Sequence, residues 1–178
     1  MSTTTESTIT GTWNLDPTHS SVGFSVLYMG VAPFRGAFRS FTATLDAHGV
    51  RGTALASSID VDDENLAGHL AAPDFFDVAT HPELRFESAP ISVEDGSVRV
   101  EGELEIKGNR VPVVLTGELA GPASDPWGNT KLGLTLSTIV DRTAFGLEWN
   151  APLPGGGEIL AREVELTARL VFVAAQAA

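Results

Sequence analysis

The chain of 178 residues contains no cysteine, a single tyrosine, two methionines, and only 11 lysines and arginines against 23 aspartates and glutamates. Without cysteine there can be no disulfide, no thiolate metal site and no thiol nucleophile, in any redox compartment. The shortage of cations leaves a formal net charge of -12. Nucleic-acid binding draws most of its affinity from clustered lysine and arginine, and here those residues are few and scattered, so no nucleic-acid partner is expected. An anionic membrane surface is disfavoured on the same ground. No run of 18 apolar residues occurs, which leaves no helical membrane span. Met1 to Thr10 is rich in serine and threonine, carries Glu6 and lacks an apolar core. No secretory signal is read there, and a cytoplasmic location is the expectation.

What the chain does have is alternation. Val98, Val100, Gly102, Leu104 and Ile106 fall on one side of a period of two, with Arg99, Glu101, Glu103, Glu105 and Lys107 on the other. That is a strand with one buried face. After a turn signal at Gly108-Asn109, Val111, Val113, Leu115, Gly117 and Leu119 repeat the pattern and form a hairpin with it. Leu132 to Val140 and Val164 to Phe172 continue the series. The first half adds Val22 to Tyr28; Phe41, Ala43 and Leu45; Leu55, Ser57, Ile59 and Val61; and Leu84, Phe86 and Ser88. Turn chemistry separates these segments at Asp16-Pro17, His48-Gly49, Glu94 to Gly96, Pro122 to Gly128 and Pro154 to Gly157.

About eight strands follow from this reading. The spacing of Phe38 and Phe41 breaks the alternation by one residue and predicts a bulge or bend. Asp62 to Ala71 reads as a helix with Asp62 or Asp63 as its N-cap, and Pro73 forces a restart, so one or two short helices should close one end. The expected class is all-β, an extended antiparallel β-barrel. No repeat or long linker divides it, which makes residues 11–175 one domain between fraying tails at 1–10 and 176–178. An acidic and aromatic block from Leu66 to Phe86, set among alternating strands, points to a lipophilic interior.

The order of fragments resembles the YceI-like family, polyisoprenoid-binding proteins with a lipocalin-like barrel. The resemblance is carried by His19-Ser20 followed by Phe24 and Val26, by Gly36 with Phe38, by His69-Leu70, and by Asp74-Phe75-Phe76-Asp77-Val78 with Pro82, Phe86 and Ser88. Beyond these come Leu104, Ile106 and Gly108, then Pro112, Val113 and Leu115, then Asp125, Trp127 and Gly128, and lastly Arg142, Phe145, Gly146, Leu147 and Trp149. It implies a barrel, paired as a homodimer in many members, whose interior holds an isoprenoid chain such as that of a polyprenyl quinone. It also implies a carrier or storage role with neither cofactor nor metal. The chain departs from the family pattern at Leu66 and Ala67, where an Arg-Asp pair is usual, at Ala71, where a polar residue is usual, and at Tyr28, where many relatives have histidine. A more apolar entrance is expected.

Holding such a chain requires no catalytic constellation. Each buried CH₂ is worth about 0.8 kcal/mol, so a five-carbon unit contributes roughly 3 to 4 kcal/mol before ordering costs. The lining residues expected are Phe24, Val26, Tyr28, Phe38, Phe75, Phe76, Leu104, Leu115, Leu134, Phe145, Trp149 and Leu166, although large apolar residues pack inside with or without a ligand. Phe75 and Phe76 are not expected to face the same way, one plugging the barrel end and the other meeting the ligand or a partner. Asp74 and Asp77 are expected as caps. His19, His48, His69 and His81 lack metal-ligand spacing. Asp16, His19 and Ser20 contain the letters of a hydrolytic triad but read as a turn network. Trp127 and Trp149 suit rim positions, and Arg142 a strand-end salt bridge. Two other readings stand beside the carrier: an enzyme acting on a lipophilic substrate through His19, His69 and Asp74/Asp77, and an interaction module with a fully packed core.

Overall fold

A computed structural model describes residues 9–175. The expected tails 1–10 and 176–178 fall largely outside that range, but Ile9 is buried against the barrel. The strands are β1 (Trp13–Leu15), β2 (Ser21–Tyr28), β3 (Ala32–Phe38), β4 (Phe41–Asp46), β5 (Gly49–Leu55), β6 (Ile59–Asp60), β7 (Glu83–Ser88), β8 (Ser92–Glu94), β9 (Ser97–Ile106), β10 (Asn109–Ser124), β11 (Thr130–Asp141) and β12 (Leu160–Ala174), with one α-helix, α1 (Glu64–Ala71).

Three pairs act as single bent staves. β1 and β2 lie along the same strand, β12, with a 3-10 turn at Pro17–His19 between them. β4 pairs with β1 while β3 pairs with β2, and β5 and β6 repeat the arrangement against β4 and β3. With β7, β9, β10, β11 and β12, eight staves close into an antiparallel meander, because β12 returns to β1 and leaves no free edge in the ring. The upper end carries the β4–β5 turn and β8. The lower end carries the β2–β3 hairpin, α1 and the long connection from β11 to β12.

The bend expected between Phe38 and Phe41 is the β3–β4 break, which turns both rings inward. The next break corrects the reading of the fifth stave. Ala54 is buried and Leu55 is 43% exposed, so the inward set along β5 is Val50, Gly52 and Ala54 and does not include Leu55, whereas Val61 does lie inside, beside Gly36. The 3-10 turn Ala56–Ser58 resets the parity before Ile59. α1 starts where its cap predicts: the Asp63 carboxylate accepts from the amides of Asn65 and Leu66. After Pro73 the chain makes successive turns instead of a second α-helix.

Packing differs between the two halves. Leu45, Val100, Leu134 and Phe172 are completely buried in the upper half, in a core that also takes in Ile9, Val50, Val93, Val98, Leu132, Leu136 and Leu170. The lower half has a smaller core of Ile106, Val113, Val140, Phe145 and Leu147.

Candidate functional site

On β9 and β12, inward residues towards the middle of the barrel keep surface that inward residues of the upper end have lost. On β12, Phe172 and Leu170 are buried, whereas Ala168, Leu166 and Val164 point to the same interior and are only half-buried. On β9, Val98 and Val100 are buried and Gly102 and Leu104 are not. Apolar side chains that face inward yet stay accessible line a hollow.

Two chambers account for that surface. The lower holds about 480 Å³ and the upper about 160 Å³. Both are bordered by Phe38, Leu84, Ile106 and Leu166, which separate the two. Of the expected lining residues, Phe24, Val26, Tyr28, Phe75, Phe76, Phe145 and Trp149 face the lower chamber, Leu104 and Leu115 face the upper one, and Phe38 and Leu166 face both. Leu134 borders neither, because it is locked in the upper core with no exposure.

Two aromatic groups shape the lower chamber. Deep inside, Phe38 meets Phe76 edge to face at 5.8 Å and Phe24 at 6.1 Å. Gly36 leaves the room this needs, since a Cβ there would come 2.5 Å from the Phe24 ring. Towards the lower end, His69 of α1 stands edge-on to both Phe75 and Trp149 at 4.9 Å. Phe75 and Phe76 therefore both reach the chamber, contrary to the expectation that they part. Their segment is a turn with Asp77 in the left-handed region (φ 48), and strand alternation does not govern it. Neither Asp74 nor Asp77 accepts a capping hydrogen bond through its side chain; the backbone carbonyl of Asp77 receives the amides of Thr80 and His81. Lys107 ties the lower end together by donating to the carbonyls of Pro73 (2.7 Å) and Gly146 (3.5 Å).

The rim is apolar. Tyr28, Ala32 and Pro33 line the chamber while exposed to solvent, and the adjoining hairpin tip shows Leu27, Met29 and Val31, the last 79% exposed. Arg142, for which the sequence suggests a strand-end salt bridge, borders the same chamber. It is 5% exposed and, among the described residues, makes no salt bridge. Its guanidinium donates to four carbonyls: Leu147 (2.6 Å), Ala161 (2.8 Å), Trp149 (3.0 Å) and Leu160 (3.4 Å). Burial pushes its pKa down from the usual arginine value, with Glu158 and Asp141 opposing, and the group stays charged. It fastens the loop that carries Trp149 to the start of β12.

Of the residues of the enzymatic reading, His19 stands apart from His69, Asp74 and Asp77, which lie along one segment at the lower end. His19 lies on the outer wall between β1 and β2, its Nδ1 2.8 Å from Asp16, which also accepts from Lys131 at 3.0 Å. Ser20 donates to the Asp16 backbone and accepts from Val171, a turn network as expected. His69 sits at the lower end among aromatic rings. A third hollow, of about 350 Å³, opens on the outer wall, and its arginines and glutamates (Arg51, Arg85, Arg110, Glu87, Glu103 and Glu105) make it unsuited to an apolar guest. Trp127 is 82% exposed at the upper end, remote from either chamber.

Comparison with known proteins matches residues 13–172 to a family model described as YceI-like domain. A UPF0312 protein of Staphylococcus epidermidis is 28% identical over 168 residues, covering 90% of this chain and 96% of that protein. A UPF0312 protein of Azotobacter vinelandii is 30% identical over 72% of this chain and 68% of its own length. Among solved structures, BcnA of Burkholderia cenocepacia superposes with a TM-score of 0.74 at 24% identity, covering 88% of this chain and 98% of that one. A polyisoprenoid binding domain from Saccharophagus degradans, implicated in plant cell wall breakdown, gives 0.72 at 14% identity, with 92% and 98% covered. At these identities the structural matches show a shared fold.

Proposed function

We propose, from the premise that this chain belongs to the YceI-like domain family, that it binds an isoprenoid-type lipid in the lower half of its barrel and carries or stores it without altering it chemically. The observation that supports this reading most is the contrast along β9 and β12, where the inward side chains are buried at the upper end and only half-buried at Gly102 and Leu104 and at Ala168, Leu166 and Val164. A barrel meant only to be stable gains by filling that space, because every unfilled void forfeits packing contacts.

The lining agrees with a slender apolar guest. Aromatic and aliphatic side chains from β2, β3, α1 and the β11–β12 connection surround the lower chamber, and its few polar groups sit towards the lower end, where Tyr28 and His69 could meet a headgroup. The binding domain from Saccharophagus degradans, which shares the fold, is described as taking polyisoprenoids. The test is mass spectrometry under native conditions and solvent extraction of the purified protein, followed by titration with a polyprenyl quinone read through the tryptophan fluorescence. A co-purifying lipophile or saturable quenching is expected. Protein that is repeatedly empty and takes up no quinone overturns the reading.

A further inference from the structure

We infer that the barrel measures its ligand, enclosing apolar tails of up to about five isoprene units and no longer. The inference deepens the lipid-binding reading and rests on it.

The first argument is volume. An engineered cavity of about 150 Å³ accommodates one six-carbon ring, which sets a scale of roughly 25 Å³ per carbon. On that scale the lower chamber, about 480 Å³, holds about 19 carbons, or nearly four isoprene units. The upper chamber, about 160 Å³, adds about six, or one more unit.

The second argument is length. β12 borders the lower chamber from Leu160 and the upper one as far as Leu170. Those ten residue steps span roughly 33 Å along the strand and about 25 Å along the barrel axis after tilt. An isoprene unit advances a chain by four C–C bonds of about 1.5 Å, close to 5 Å with the zigzag removed, so about five units fill the distance. Volume and length agree although they use different features of the structure.

The third argument is that the upper chamber has a solid floor. Val50, Leu136 and Leu170 line it and belong to the packed upper core, with Leu45, Leu134 and Phe172 behind them. That core bars a longer tail from going further up the axis, and the outer hollow that shares Thr42, Ala43, Gly52, Thr53, Arg85 and Phe86 with the chamber is lined by arginines and glutamates that do not suit an apolar chain. The surplus must stay outside the rim, where enclosure adds nothing further.

Displacement of a fluorescent anilinonaphthalene dye by prenyl alcohols of two, three, four, five and nine units tests this on the unaltered protein. Affinity should rise several-fold with each unit up to about five, and the nine-unit alcohol should bind no tighter than the five-unit one. Continued tightening from five to nine units overturns the inference and leaves lipid binding standing. Failure of every alcohol to displace the dye overturns both. Ala43→Leu supplies a second arm, because Ala43 borders the upper chamber and not the lower one. The variant should abolish the advantage of five units over four while three- and four-unit alcohols bind as before. An advantage that survives the substitution, or an equal loss at every length, counts against the ruler.

Discussion

Arg142 shows how one residue can serve a site it need not touch a ligand to shape. Its planar fork matches four carbonyl directions at once, a geometry that a lysine ammonium cannot reproduce. Arg142→Lys is expected to cost about 2 to 4 kcal/mol in urea unfolding, since buried carbonyls of Leu147 and Trp149 lose their donors. Asp16 works on the outer wall. Hydrogen bonds from His19 and then Lys131 hold its carboxyl at about 2, against an ordinary value of 3.8. A carboxyl depressed in the folded state contributes stability that is complete above the unfolded value, near pH 4, and disappears as pH falls through 2. The contribution is at most about 2 kcal/mol, because His19 is largely solvent-exposed and screened. Asp16→Asn should therefore weaken unfolding free energy at pH 6 and leave it nearly unchanged near pH 2, which a urea series across that range would read. The letters Asp16, His19 and Ser20 were legible as a turn network. Arg142 was not legible as a buried cation, since its acceptors are backbone atoms that carry no sequence signature.

Elements decide which side chains reach the interior. The alternating cores of β9 to β12 were readable residue by residue, because one slip would turn every apolar residue outward, but β10 runs on past a bulge through Pro122 to Ser124, where a turn was expected. The broken staves were harder. A short 3-10 turn after Leu55 changes the parity without any proline or glycine to announce it, so Ala54 faces inward where Leu55 was expected. Phe75 and Phe76 were expected to face different ways, but the turn that carries them brings both rings to the lower chamber. α1 walls the lower chamber with Leu66, His69 and Leu70 and is held at its start by the Asp63 cap. Asp63→Ala should cost about 1 kcal/mol locally. Hydrogen exchange is expected to quicken over 64–72 with little change in β9 to β12, and a bound lipid should dissociate faster, as stopped-flow dye replacement would record.

Across the whole molecule, the barrel divides its work between its ends. The upper core stabilises the fold and the lower hollow stays available. Leu134→Ala is expected to cost about 3 to 5 kcal/mol, because a fully buried leucine leaves a void that packed neighbours cannot close, while dye uptake at the lower end persists. A lipid at a hundredfold excess over its dissociation constant should raise stability by about 2.7 kcal/mol and the melting temperature by several degrees, in the unaltered protein and the variant alike. The sequence by itself determined that the chain is all-β and that one face of each long strand is apolar, since period and turn chemistry are local properties; the barrel came from the family resemblance, because its closure joins β12 to β1 across the length of the chain. Only the tertiary structure decided where the barrel is solid and where it is hollow. Leu134 and Leu166 look alike in sequence, each an inward leucine on an alternating strand. One is sealed among neighbours and the other faces open space, and that difference depends on side chains brought from other staves around the ring.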